Sequence, residues 1–246
     1  MSGTHGIAQP VRRREDVRLL TGRGRFADDV NRDGQGYASF VRSPVAHGVI
    51  RGIDTDAASK APGVIAVFAG NDLAAAGVGH IVARWPRYQS AQIQSDPPLH
   101  TPRPGLAQGR VRHVGEAVVL VVAETRAQAD DAADLIELDI EELPAAVTIA
   151  DALAPGAPTV WDDAPGNIGQ VWHRGDREGA DAALAEAAHV TRLSLANNRL
   201  AANPMEPRTS VAAWDASDER FTLVASSQGV QYFMEILSCT TAKISG

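Results

Sequence analysis

The chain has 246 residues and a formal net charge of −7, with 44% hydrophobic and 22% charged residues, the make-up of a soluble globular protein of one to two domains. The acidic balance argues against a nucleic-acid partner, whose phosphates need a basic face. The longest strongly apolar run, "AVVLVVA" at 117–123, is too short to cross a bilayer. The single cysteine, Cys239, leaves no intramolecular disulfide and no four-thiolate iron–sulfur site from this chain alone. The opening "MSGTHGIAQPVRRRED" is basic but has no apolar stretch behind it, unlike a secretory or twin-arginine signal, and a cytoplasmic protein is expected. Arginines cluster at 12–14, 18, 23 and 25, interspersed with Glu15, Asp16, Asp28 and Asp29. That mixture reads as a solvated or partner-docking segment rather than an anion site.

In chain order, the first element is a strand in "GQGYASFVRSP" (34–44). Residues 49–73 then read as strand, short helix, strand, with Thr55 and Asp56 as N-caps and Pro62–Gly63 as the stop. Residues 79–109 hold five prolines with polar filler and read as an irregular excursion. "EAVVLVVAETRAQADDAADLIELDIEELP" (116–144) opens on a nearly unbroken apolar strand, the kind buried on both faces. Thr125 and Gln128 fit a capping box, and Ala129, Ala132, Ala133 and Ile136 give the helix one apolar face. A half-exposed strand follows, making β-α-β in one compact unit. Residues 152–176, rich in proline and glycine, read as a linker or a surface-hugging connection. Beyond them come a helix at 179–188, a strand at 189–196, two strands at 208–214 and 220–226, and a helix at 229–238. This last helix carries Val230, Phe233, Met234 and Leu237 at i, i+3, i+4, i+7.

The chain contains no Walker loop, GxGxxG, GxSxG, HExxH or CxxC. Its seven histidines are scattered, so no metal ligand set is expected from its side chains. His47, just after a strand, is expected to bond loop backbone. Glu116 at the mouth of the buried strand reads as a turn carboxylate bonding backbone amides. Glu206 sits between Pro204 and Pro207 in "NPMEPRTSVAAWD" (203–215). Each proline fixes its own φ and pushes the preceding residue toward extended backbone. The glutamate either orients a site or pairs with Arg199 or Arg208. Gln228 closes a strand immediately before Gly229 and the last helix, a junction where α/β layers place ligand-binding groups. Its amide is either a donor to an anionic or oxo ligand, or a helix cap.

Six stretches, taken in order, resemble the large subunits of the molybdenum hydroxylases, the family of xanthine dehydrogenase, aldehyde oxidase and the carbon monoxide dehydrogenase type. They are "RREDVRLLTGRGRFADDV" (13–30), "RSPVAHGVIRGIDTDAA" (42–58), "PGVIAVFAGNDL" (62–73), residues 109–145, "NPMEPRTSVAAWD" (203–215) and "FTLVASSQG" (221–229). The resemblance implies an α+β chain, with an α/β hammerhead domain at about 15–148, a linker at 149–176, and the beginning of a molybdopterin-binding domain at 177–246. It assigns Gln228, with Gly229 beside it, to the cofactor, the glutamine amide donating to an oxo ligand of molybdenum. It makes Glu206 and Pro207 support for that site. No catalytic residue is assigned, because the family's general-base glutamate and its glycine-rich pterin loop have no counterpart in this sequence. Where the family shows Pro-His after the glutamine, this chain has Val230 and Gln231.

The implied activity is hydroxylation of an aldehyde, an N-heterocycle or a similar small molecule. The molybdenum site would be incomplete here, and iron–sulfur and FAD groups would lie only in partner subunits. A second chain carrying the rest of the molybdenum domain, an oligomer, and neither nucleic acid nor membrane complete the expectation. The other reading is a non-catalytic assembly module derived from such a subunit. An uncovered last helix would show Phe233, Met234 and Leu237 to water and forgo several kcal/mol of burial. The second block is therefore expected to need a partner, self-association or further sequence, with a protease-resistant core ending near residue 150.

Overall fold

The computed structural model describes residues 13–81, 93–95, 101–198, 200–204, 206–227 and 229–241. The elements in order begin with α1 (Asp16–Leu20), a 3-10 turn (Ala27–Asp29), β1 (Tyr37–Arg42), β2 (Gly48–Asp54), α2 (Asp56–Ser59), β3 (Val64–Ala69) and α3 (Gly70–Ala75). Then come β4 (Ile93–Ser95), β5 (Arg110–Val111), β6 (Ala117–Ala123), α4 (Arg126–Ala133), β7 (Glu137–Glu142) and α5 (Ile149–Leu153). After a 3-10 turn (Pro165–Asn167) follow β8 (Trp172–Arg174), α6 (Arg177–Glu186), β9 (Ser210–Asp215), β10 (Arg220–Ala225) and α7 (Val230–Thr241). Two compact units result. One combines the described residues within Met1–Asp33 and Asn197–Gln228, the other those within Gly34–Ala196 and Gly229–Gly246.

In the larger unit β6 is the middle strand of an antiparallel sheet ordered β1-β6-β3. Side chains alternate between faces along a strand, so Val119, Val121 and Ala123 close one face completely and Val118 begins to close the other. Each fully buried valine contributes about 1.5–3 kcal/mol relative to exposure. The second face is less complete, because Phe40 and Phe68, both opposite Leu120 in the register, keep part of their rings in water. A second antiparallel sheet, ordered β5-β2-β7, carries Val111, Ile50, Ile53, Leu138 and Ile140 into the same core. Ala58 of α2 and Ala132 of α4 join it, both fully buried.

Thr125 caps α4 as expected, its hydroxyl accepting from the Gln128 amide at 3.2 Å, and the return contact of the box runs between side chains, the Thr125 hydroxyl donating to Gln128 Oε1 at 2.8 Å. The β-α-β reading changes in one respect, because β7 pairs with β2 in the other sheet. Both edges of β6 are already bonded to β1 and β3, so the strand after α4 has no vacant edge there. At α2 the capping acceptor is Asp54 Oδ1, which takes the Asp56 amide at 2.9 Å, and neither Thr55 nor Asp56 caps. Within the proline-rich excursion β4 pairs antiparallel with β8, two three-residue strands too short to show a period. Residues 189–196 form neither helix nor strand, and Leu193 and Leu195 are 77% and 80% exposed. Alternation supplied a strand-like face there, but among the described residues no neighbouring strand takes up the backbone bonds that a strand requires.

The 152–176 connection hugs the surface and is fastened at several points. Asn167 Oδ1 accepts from the Val160 amide at 2.9 Å, while its Nδ2 donates to the carbonyls of Ala152 and Pro158 at 3.0 Å. The Arg112 guanidinium lies 3.7 Å from the centre of the Trp161 ring, Asp162 pairs with Arg110 at 3.2 Å, and Ala164 is buried. In α7, Phe233 and Met234 are exposed as expected, and Val230 with them, whereas Leu237, expected to be exposed, is half-buried. The end of α7 is tied to Gly79, whose amide donates to the Thr240 carbonyl at 2.8 Å. No helix among the described residues is long and apolar enough to cross a membrane.

Two measurements check this packing. A Cβ on Gly70 would collide with the Ala107 carbonyl, so Gly70→Ala should cost about 1–3 kcal/mol and lower the thermal midpoint by several degrees. Because the fastened connection extends the packed region, limited proteolysis should leave a core ending beyond Asn167 rather than near 150. Asn167→Ala, which removes all three fastenings, should move the first cut upstream into 154–166. An unchanged cleavage site would refute that role.

Candidate functional site

Among the described residues of 203–210, the stretch that holds Pro204 and Pro207, two side chains turn inward. Glu206 and Thr209 are half-buried, whereas Asn203, Pro204, Pro207, Arg208 and Ser210 are exposed. Both inward residues meet the 3-10 turn Ala27–Asp29 of the same unit. Glu206 Oε1 accepts from the Ala27 amide at 3.4 Å, and the Thr209 hydroxyl donates to Asp28 Oδ1 at 3.4 Å. The turn has its own closure, because Asp29 Oδ2 accepts from the Phe26 amide at 2.9 Å. Of the two arginines considered as partners for Glu206, Arg208 forms no ion pair with it among the described residues, and Arg199 lies outside them. Sequence reasoning missed Ala27, Asp28 and Thr209. An alanine that acts through its amide leaves no side-chain signature.

From Ser210 the chain enters the β9–β10 hairpin, paired in register from Ser210↔Ala225 to Asp215↔Arg220. Trp214 and Phe221 stack across it with ring centres 4.4 Å apart. Asp215 Oδ1 organises the connecting turn, accepting from the Ser217 amide at 2.9 Å, the Ser217 hydroxyl at 2.6 Å and the Asp218 amide at 3.4 Å. Those donors, the Ser217 hydroxyl first, hold the Asp215 carboxyl below its ordinary value of 3.8.

Gln228, the residue assigned to the oxo ligand, lies outside the described residues. Gly229 belongs to the other unit and opens α7, its carbonyl accepting from Phe233 at 3.0 Å. The two polar candidates of the larger unit have the local roles expected. His47, 5% exposed, faces the Pro144 carbonyl through Nδ1 at 3.0 Å. Glu116 accepts from the Arg112 amide and lies 3.6 Å from His113. Burial keeps the Arg112 guanidinium below its ordinary value and Arg110 adds to that, while Glu116 and Asp162 oppose it.

Among the described residues no three His, Cys, Asp or Glu side chains gather as metal ligands. Two grooves, of about 390 and 420 Å³, are lined by residues of 50–56, 69–72, 107–109 and 137–139. Neither includes Glu206, Pro207 or Gly229.

Residues 21–144 match the a/b hammerhead domain of aldehyde oxidase and xanthine dehydrogenase, and residues 160–243 match the molybdopterin cofactor-binding domain. The chain belongs to the aldehyde oxidase and xanthine dehydrogenase family. The resemblance read from the six stretches is thus borne out, as is the α+β class with a hammerhead first. The nicotine 6-hydroxylase large subunit of Paenarthrobacter nicotinovorans is 40% identical over 94% of this chain. The carbon monoxide dehydrogenase large chain of Afipia carboxidovorans is 30% identical over 95% of it. The chain spans 27% and 29% of the length of these two relatives. In quinoline 2-oxidoreductase from Pseudomonas putida 86 the same fold recurs with a TM-score of 0.78 and 33% identity, over 95% of this chain and 28% of that one.

The hairpin turn gives a pH test. Because the folded carboxyl of Asp215 titrates below 3.8, its contribution is complete above that value and fades as pH falls through the lowered folded one. An NMR titration should place the Asp215 midpoint below 3.8, and Ser217→Ala should raise it. A midpoint at the ordinary value in the parent chain would contradict the hydrogen bonding described.

Proposed function

We propose that the chain forms the N-terminal part of a molybdenum-cofactor oxidoreductase subunit that hydroxylates an N-heterocycle, an aldehyde or a similar small molecule. The observation that carries this reading is the ordered pair of domain matches, hammerhead then molybdopterin-binding, along one chain. The N-heterocycle is favoured by the names of two relatives, a nicotine 6-hydroxylase and a quinoline 2-oxidoreductase. In this reading residues 15–148 are the hammerhead, 149–176 the connection and 177–246 the beginning of the molybdopterin-binding domain. When bound, the cofactor supplies the oxygen-transfer and two-electron chemistry. What this chain contributes is orientation: Gln228, with Gly229 next in sequence, offers a neutral amide donor toward the oxo group, and Glu206 with Pro207 holds the supporting turn. Electrons would leave through separate FAD and iron–sulfur subunits, since one cysteine cannot ligate a cluster.

Purification of the chain with its co-expressed neighbouring gene products, followed by molybdenum analysis, tests the proposal. Near-stoichiometric molybdenum is expected, and Gln228→Ala should lower turnover at least tenfold with the metal retained. A stable complex that never takes up molybdenum would overturn the reading and leave an assembly module.

A further inference from the structure

Resting on the reading of Glu206 as site support, we infer that the 3-10 turn Ala27–Asp29 is the positioning element for that glutamate, the Ala27 amide holding its carboxylate and Asp28 holding Thr209. The prolines at 204 and 207 fix backbone angles, but they leave the side-chain torsions of Glu206 free. Something else must aim the carboxylate. The first amides of a helical turn have no partner within the turn and need an outside acceptor. Glu206 Oε1 meets that need at Ala27, in the charge-assisted class of hydrogen bond.

The donor is itself immobilised, because Ala27 is only 7% exposed and Asp29 bonds the Phe26 amide at 2.9 Å. The second tether, Thr209 to Asp28, grips the run immediately before β9 starts at Ser210. Two tethers three residues apart fix where the hairpin begins and how it is rotated, and the hairpin is the element whose last strand leads to Gln228. The arginine-rich opening therefore contributes to the same unit as the "NPMEP" turn, about 180 residues away in sequence.

The test is a double-mutant cycle in the full chain, read by amide hydrogen exchange. Ala27→Pro deletes the donor with little local cost, since proline suits the first position of a helical turn and Phe26 already has the extended φ of −104° and ψ of 170° that must precede it. Glu206→Ala deletes the acceptor, and Glu206→Gln keeps an oxygen in place. Each deletion should speed exchange across 210–213 by about tenfold, the double variant no further, and Glu206→Gln should restore protection. Additive losses, or a glutamine variant as poor as alanine, would overturn the inference. Should Ala27→Pro fail to fold, the Ala27 amide decides. It should exchange faster in Glu206→Ala and recover in Glu206→Gln, and an amide indifferent to Glu206 would count against the pairing. Molybdenum content separates the two claims. Coupling in a chain that takes up no metal overturns only the proposed function, and additivity in a metal-loaded complex overturns only this inference.

Discussion

The hammerhead depends on one strand that has no spare bonding surface. β6 is hydrogen-bonded along both edges, to β1 and β3. Its approaches are bonded as well: the Glu116 carbonyl accepts from Ser43, the Ala117 carbonyl from Ala107, and the Glu124 amide donates to Gly63. Elements added after β6 must therefore attach elsewhere, which is why α4 leads the chain across to β2. The fully buried alanines Ala129 and Ala132 of α4 and Ala58 of α2 keep the backbones close, so the two sheets share one core rather than two marginal ones.

The same constraint determines what happens to charge. Arg112 directly follows β5, the two-residue strand paired with β2, and burial disfavours its charged form. The structure answers with the Trp161 ring against the guanidinium and with Glu116, whose carboxylate also takes the Arg112 amide. A desolvated cation placed against a π face is stabilised by more than an exposed one. The connecting segment thus becomes part of the hammerhead surface, with Asn167, at φ +55°, as its internal tie. Asparagine tolerates this left-handed conformation better than most residues.

In the smaller unit rigidity comes from different sources. The 203–209 run has two prolines, two side-chain tethers to 27–28 and a hairpin stapled by an aromatic pair and by Asp215. None of these requires a large core, and among the described residues the unit contributes Ala27 alone to the buried apolar side chains. Such an arrangement can hold a carboxylate and a strand in place.

Local chemistry was legible in the amino-acid order. The apolar run at 117–123, the Thr125–Gln128 box, the 210–225 hairpin and the stripe on α7 each follow from period, capping or turn residues within a few positions. The stiff turn around Glu206 could be read from its prolines alone. Tertiary structure decided which edges were free, and so it moved β7 to the second sheet, paired β4 with β8 and left 189–196 without a strand partner among the described residues. It also decided that Glu206 takes the Ala27 amide and, among the described residues, forms no ion pair with Arg208. A backbone amide carries no mark in the sequence, and strand pairing between distant segments is settled by which unsatisfied groups remain once the strongest strand has taken its neighbours.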